Sequence, residues 1–118
     1  MVTGHWVQIS DAGTYARQVL REEASEIPVD LIEGRPWTQI MIEPSALLVD
    51  EQMIARHDDD PVHQERRDKF RQAILLGRDL PPLIAIGPNR HLVDGYARLR
   101  AVRLLKIHEV SVVVQAFR

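Results

Sequence analysis

The chain has 118 residues, 45% of them hydrophobic and 27% charged, with a formal net charge of -2, which suits one globular domain and is too short for two ordinary cores. Such a balance excludes capture of nucleic acid by bulk electrostatics, and the absence of cysteine excludes disulfides, thiolate metal sites and sulfur nucleophiles. No apolar run approaches the length that spans a bilayer, and the N-terminus lacks a secretory signal, so a cytoplasmic chain with no membrane partner is expected.

Ser10 or Asp11 is placed to cap a first helix, because Ala12, Tyr15, Ala16, Val19 and Leu20 recur at the spacing of one buried stripe. That helix should stop before Pro28. Residues 27–38, with Pro28, Gly34 and Pro36, read as a connection leading to a short strand, Gln39-Ile40-Met41-Ile42, that Glu43-Pro44 ends. One turn of helix is expected over Ser45–Val49, and a polar loop from Asp50 to Asp60.

Asp60 and Pro61 then suit the cap and first position of a helix. It would carry Val62, Arg66, Phe70, Ala73 and Ile74 on one side, leave Glu65, Arg67, Asp68 and Arg71 in water, and end at Gly77. Leu83–Gly87 and His91–Val93 flank the turn residues Pro88-Asn89-Arg90 and predict a hairpin. A helix from about Gly95 to Leu105 and a β-branched strand from Val110 to Phe117 complete the chain. No internal repeat or low-complexity tract is present.

The most informative stretch joins Leu80-Pro81-Pro82 and the hairpin to Asp94-Gly95-Tyr96-Ala97-Arg98. On the last helix Ala97, Ala101, Val102, Leu104 and Leu105 fall on one side and Arg100, Arg103 and Lys106 on the other, while Arg98 lands inside the apolar arc. Helical side chains lean toward the N-terminus, so the Arg98 guanidinium should lie beneath the first turn, beside the free N–H groups of Gly95, Tyr96 and Ala97. Free amides, a partial positive charge and a guanidinium fork together suit phosphate. The competing expectation is an internal ion pair of Arg98 with Asp94 or Glu43. Asp94 also suits a plain helix cap, and Gly95 relief of a crowded turn.

His57-Asp58-Asp59-Asp60 with His63 supplies ligand types for a divalent cation, yet the spacing matches no calcium loop or zinc signature and reads better as a solvated, helix-capping loop. His91 and His108 lie at element ends without a motif. Ser10, Ser25, Ser45 and Ser111 lack the context of a nucleophile, and no Gly-rich phosphate loop is present.

Leu80-Pro81-Pro82, the two strands and Gly95-Tyr96-Ala97-Arg98 resemble the ParB/sulfiredoxin superfamily, whose members share a Gly-x-x-Arg motif opening a helix. The likeness runs from about Gln39 to Val114 and is closest in flavour to the N-terminal domain of StrR-type regulators. The resemblance implies an α+β fold, a small mixed sheet with three to four helices. It divides the chain into an N-terminal helix and connection, 1-38, and a ParB/sulfiredoxin-like unit, 39-118, within one compact domain.

The same resemblance implies several activities. Partition proteins bind CTP with magnesium, usually with Glu and Arg where this chain has Tyr96 and Ala97. Free-serine kinases of this fold carry Asp-Gly-His-His-Arg, of which Asp94, Gly95 and Arg98 remain, and Glu43 is a positional guess for their activating glutamate. Sulfiredoxins need a cysteine, which this chain lacks. The leading expectation is a nucleotide-binding module for a nucleoside di- or triphosphate such as ATP, ADP or CTP, with phosphotransfer or nucleotidase activity open. Gly95, Tyr96, Ala97 and Arg98 would hold phosphates, Pro81 and Pro82 would shape the wall, and Asp94 and Glu43 would be the catalytic or Mg2+-linked carboxylates.

The alternative is a non-catalytic DNA-associated or regulatory module that meets its partner, DNA or protein, with Arg66, Arg67, Arg71, Arg100 and Arg103 supplying a basic face; a homodimer is a further expectation. Relatives of this type continue into a helix-turn-helix domain. The sequence in hand ends at Arg118 after its last predicted strand, so it reads as a free-standing module or a fragment. The first 26 residues, with Trp6, fall outside the likeness and are expected to cover a sheet edge or a partner surface.

Overall fold

The computed structural model describes residues 3–24 and 26–117; Ser25, one of the serines considered above, lies outside them. The chain runs β1 (His5–Trp6), α1 (Ala12–Glu23), α2 (Val29–Ile32), β2 (Trp37–Ile42), a 3-10 turn (Pro44–Ala46), α3 (Glu51–Asp58) and α4 (Pro61–Leu75). There follow β3 (Asp79–Leu80), β4 (Leu83–Ile86), β5 (His91–Asp94), α5 (Tyr96–Leu104) and β6 (Val110–Gln115). The described residues form an α+β fold with five α-helices, one or two more than expected. Beside the mixed sheet stands a second, two-stranded one in which β1 pairs parallel with β3.

The main sheet has the order β2-β6-β4-β5. β6 runs antiparallel to β2 and parallel to β4, and β4 and β5 form the expected antiparallel hairpin with an irregularity between Ile84 and Ala85. All six residues of β6 are buried, as a β-branched run requires when both its faces are covered. Successive residues point to opposite faces. Leu83, Ala85, Val110, Val112 and Val114 therefore pack with Leu47, Ile54, Ile74, Leu99 and Val102 on one side, whereas Ile84 and Val113 meet Ala16, Leu20, Ala24 and Ile32 on the other.

The first helix thus covers a face of the sheet, not its edge, and completes the second half of the core. Asp11, not Ser10, caps it, accepting from the Thr14 N–H at 3.0 Å. Gln39 ties the preceding segment down: its amide donates to the Val7 carbonyl at 2.8 Å and to the buried Ser111 hydroxyl at 2.7 Å, while its carbonyl accepts from the Ile9 N–H at 2.8 Å. Ser111 is consequently a satisfied core hydroxyl. Tyr15 donates to the Pro82 carbonyl at 3.0 Å, and burial is the first cause holding its phenol above the ordinary value. Removing that hydroxyl in Tyr15→Phe leaves the Pro82 carbonyl only a long 3.5 Å contact from Arg98 Nη2, and urea denaturation is expected to show a loss of about 1 kcal/mol.

The polar loop expected over Asp50–Asp60 is instead mostly helix. Asp50 caps α3 by accepting from the Met53 N–H at 3.0 Å, and burial of Ile54 against the sheet overrides the weak propensity of its polar neighbours. α4 begins as expected, with Asp60 accepting from the Val62 N–H at 2.9 Å and Pro61 next.

Candidate functional site

α5 starts without a side-chain cap. Gly95 takes the cap position at φ +106 in the left-handed region, so Asp94, read above as a plain cap, does not fill that role. The first intrahelical bond runs from the Leu99 N–H to the Gly95 carbonyl at 2.9 Å, which leaves the N–H groups of Tyr96, Ala97 and Arg98 without a helical partner. A Cβ on Gly95 would lie 2.7 Å from Leu83 Cγ and 2.8 Å from Arg98 Nη2. The guanidinium does lie beneath the first turn.

Arg98 has found an internal acid. Its Nη2 donates to Asp94 Oδ2 at 2.9 Å and lies 3.5 Å from the Pro82 carbonyl, and its Cζ stands 5.6 Å above the Phe70 ring. The carboxylate spaced at i−4 captured one edge of the fork; Nε is buried and unpartnered. Of the two acids considered, Asp94 is therefore the partner, and Glu43 lies at a separate depression with Ser45, Arg103, Lys106 and His108. Pro82 is packed behind Arg98, and neither Pro81 nor Pro82 lines the cleft.

The cleft itself encloses about 140 Å³ at the start of α5 and is bounded by Gly95, Tyr96, Ala97 and Arg98 together with groups from α3 and α4. Of the other lining residues, His57, His63, Arg66, Phe70 and Arg100, none was expected at the phosphate site: the histidines were weighed as cation ligands, and Arg66 and Arg100 were assigned to a basic face. The helical-wheel placement of Arg100 in water is overturned: the residue is 3% exposed, because α4 and the α3–α4 turn pack over that side of α5. Its Nε donates to Asp58 Oδ1 at 2.8 Å, its Nη2 donates to the His57 and His63 carbonyls at 3.3 and 3.2 Å, and its Nη1 has no partner. The His57 and His63 rings stack with centroids 3.7 Å apart and planes 10° from parallel. The sequence grouped these two histidines as possible cation ligands; what it did not show is that the last turn of α3 and the first turn of α4 fold back across Asp60-Pro61 to stack the rings at the start of α5.

Tyr96 points its hydroxyl away from the cleft axis, accepting from the Asp50 N–H at 3.1 Å and donating to the Leu92 carbonyl at 3.3 Å, so it joins α3 to β5. The basic face proposed for DNA is largely consumed. Arg100 is buried, Arg67 and Arg71 lie against Asp68, and Arg103 pairs with Glu51 at 2.7 Å. Arg66 enters no ion pair among the described residues. The Arg67 guanidinium is the first cause holding the Asp68 carboxyl below its ordinary value, and that of Arg103 does the same for Glu51.

A small α+β domain with a buried-arginine cleft that opens at an uncapped helix start is the class of protein this geometry defines. No family model and no curated protein matches the chain. Among solved structures it is similar to a Pnob8-like ParB-N domain determined in a C2221 crystal form, with TM-score 0.53 and 22% identity over 72% of this chain and 32% of that one. The fold is ParB-like, and the chain spans about a third of that neighbour's length. Among the described residues no helix is long and apolar enough to cross a membrane.

Proposed function

We propose that this chain is a nucleotide-binding module whose α5 cleft takes the phosphate end of the ligand. The observation that carries the reading is the pair of almost fully buried arginines, Arg98 and Arg100 at 9% and 3% exposed, which line the cleft beside unpaired amides and each keep one buried nitrogen without a partner. Buried donors left unmade are costly, and an oxyanion supplies acceptors. Arg66 adds charge at the rim, against the single lining carboxylate of Asp94. A volume near 140 Å³ is well below the roughly 300–1,000 Å³ of sites that engulf a whole small molecule, so base and sugar would lie outside, toward Phe70 and His63.

A protein-held magnesium ion does not fit these residues. Glu43 is at another depression, Asp94 is engaged by Arg98, and no group of three His, Asp or Glu gathers among the described residues. Any magnesium would arrive with the nucleotide, and no phosphoryl-transfer step is assigned.

Thermal-shift titration of the whole chain with ATP, ADP, CTP and GTP, each with Mg2+, tests the reading. A ligand that binds only the folded state raises stability by mass action, about 2.7 kcal/mol at a hundredfold excess over Kd. At least one nucleotide is expected to raise Tm by several degrees, and Arg66→Ala should reduce the rise. Asp94→Asn should increase it, because the carboxylate competes with the anion for Arg98. No shift with any of the four nucleotides overturns the reading. A smaller shift in Asp94→Asn would mean that Asp94 contacts the ligand's metal instead of opposing its phosphate.

A further inference from the structure

The two histidines of the cleft have no chemical role in the reading so far. Their rings lie face to face at 3.7 Å, and Arg100 Nη2 grips both of their backbone carbonyls, so the pair cannot separate without breaking a buried clamp. Neutral imidazoles stack at this distance, whereas two imidazolium ions would repel each other. We propose that the His57–His63 pair makes the anion site proton-linked, the cleft taking up a proton together with its anion; this rests on the phosphate-site reading above and adds its regulation.

The charges around the pair set the direction. α3 contributes Arg56 and Asp58, the α3–α4 connection Asp59 and Asp60, α4 Arg66 and Arg67, and the β5–α5 junction Asp94, Arg98 and Arg100. Two of those carboxylates are ion-paired within the set, Asp58 with Arg100 and Asp94 with Arg98, whereas Asp60 caps α4 through the Val62 N–H and keeps its charge. On His57 itself Arg100 and Arg56 each weigh more than Asp60. His57 titrates below its ordinary 6.5, chiefly because burial disfavours the charged ring, with His63, Arg100 and Arg56 adding repulsion against the pull of Asp60. Its Nδ1 is buried without a partner. An oxyanion in the cleft reverses the local sign, and the ring gains a proton that it can donate.

The sign follows from linkage. Without ligand, folding disfavours protonated His57, so stability is full above the ordinary histidine range and declines as pH falls through it. With an anion bound, the proton is welcome and binding tightens over the same window.

Sulfate is a suitable probe because its charge does not change between pH 8 and 5.5, unlike that of a phosphate ester. Calorimetric titration of the whole chain with sodium sulfate is expected to show Kd falling as pH is lowered, by up to about tenfold per unit for one linked proton. The dependence should vanish in the double variant His57→Asn/His63→Asn. Imidazole proton resonances of the unaltered chain give a second readout that needs no variant: the midpoint of His57 should rise when sulfate saturates. Sulfate binding that is flat with pH, keeps its slope in the double variant, or leaves the imidazole midpoint unmoved overturns the proton linkage and leaves the phosphate site standing. Absence of sulfate binding at every pH overturns both.

Discussion

Gly95→Ala is expected to lower the unfolding free energy by roughly 2–4 kcal/mol and to abolish anion binding, since left-handed strain and a steric overlap fall on the same atom. Gly95 has φ +106, and a methyl there would lie 2.7 Å from the fully buried Leu83 and 2.8 Å from the Arg98 guanidinium. Gly77 provides the control. It is also in the left-handed region, at φ +68, but nothing lies within 4 Å of its added Cβ, so Gly77→Ala should cost only about 1 kcal/mol. Urea denaturation of the two variants separates backbone strain from close approach. Equal losses would show that Leu83 and Arg98 can move aside, and the tight seat of Arg98 under the first turn would lose its support.

The second large effect belongs to Arg100. Arg100→Met keeps the stem but removes a donor from the His57 and His63 carbonyls and the nearer partner of Asp58, which keeps only Arg67 at 3.7 Å. A loss of about 2–3 kcal/mol is expected, less than for a fully buried pair because Asp58 is 45% exposed and water can reach it. Hydrogen exchange should quicken selectively at the α3–α4 turn. One turn further along α5, Arg103 pairs with Glu51 in the open; Arg103→Met should change little, as exposed pairs do. If Arg100→Met were as stable as the unaltered chain, the buried guanidinium would not be what holds the turn over the cleft.

These residues differ in how visible they were in the sequence. The Asp60-Pro61 start of α4, the β4–β5 hairpin, the central run of β6 and the Gly95 entry to α5 rest on neighbours within four residues, where cap, turn and periodicity rules operate. The position of Arg98 beneath the first turn was legible for the same reason. Its engagement by Asp94 was the local one of two outcomes, and only the packing of the sheet could choose between Asp94 and the distant Glu43. α3 was missed because Gln52, Arg56, His57 and Asp58 offer little apolar periodicity, and one buried Ile54 settled the matter.

Local rules and composition by themselves determined that this chain folds as a small α+β unit with an arginine under an uncapped helix start and no chemistry that needs sulfur. Tertiary packing decided what that start faces. A helical wheel knows a residue's direction but not what is packed there, and here α4 turned the supposedly wet side of α5 into a buried one, drawing in Arg100, His57 and His63. Contacts between groups roughly 40 residues apart depend on how layers stack, a property no single segment carries.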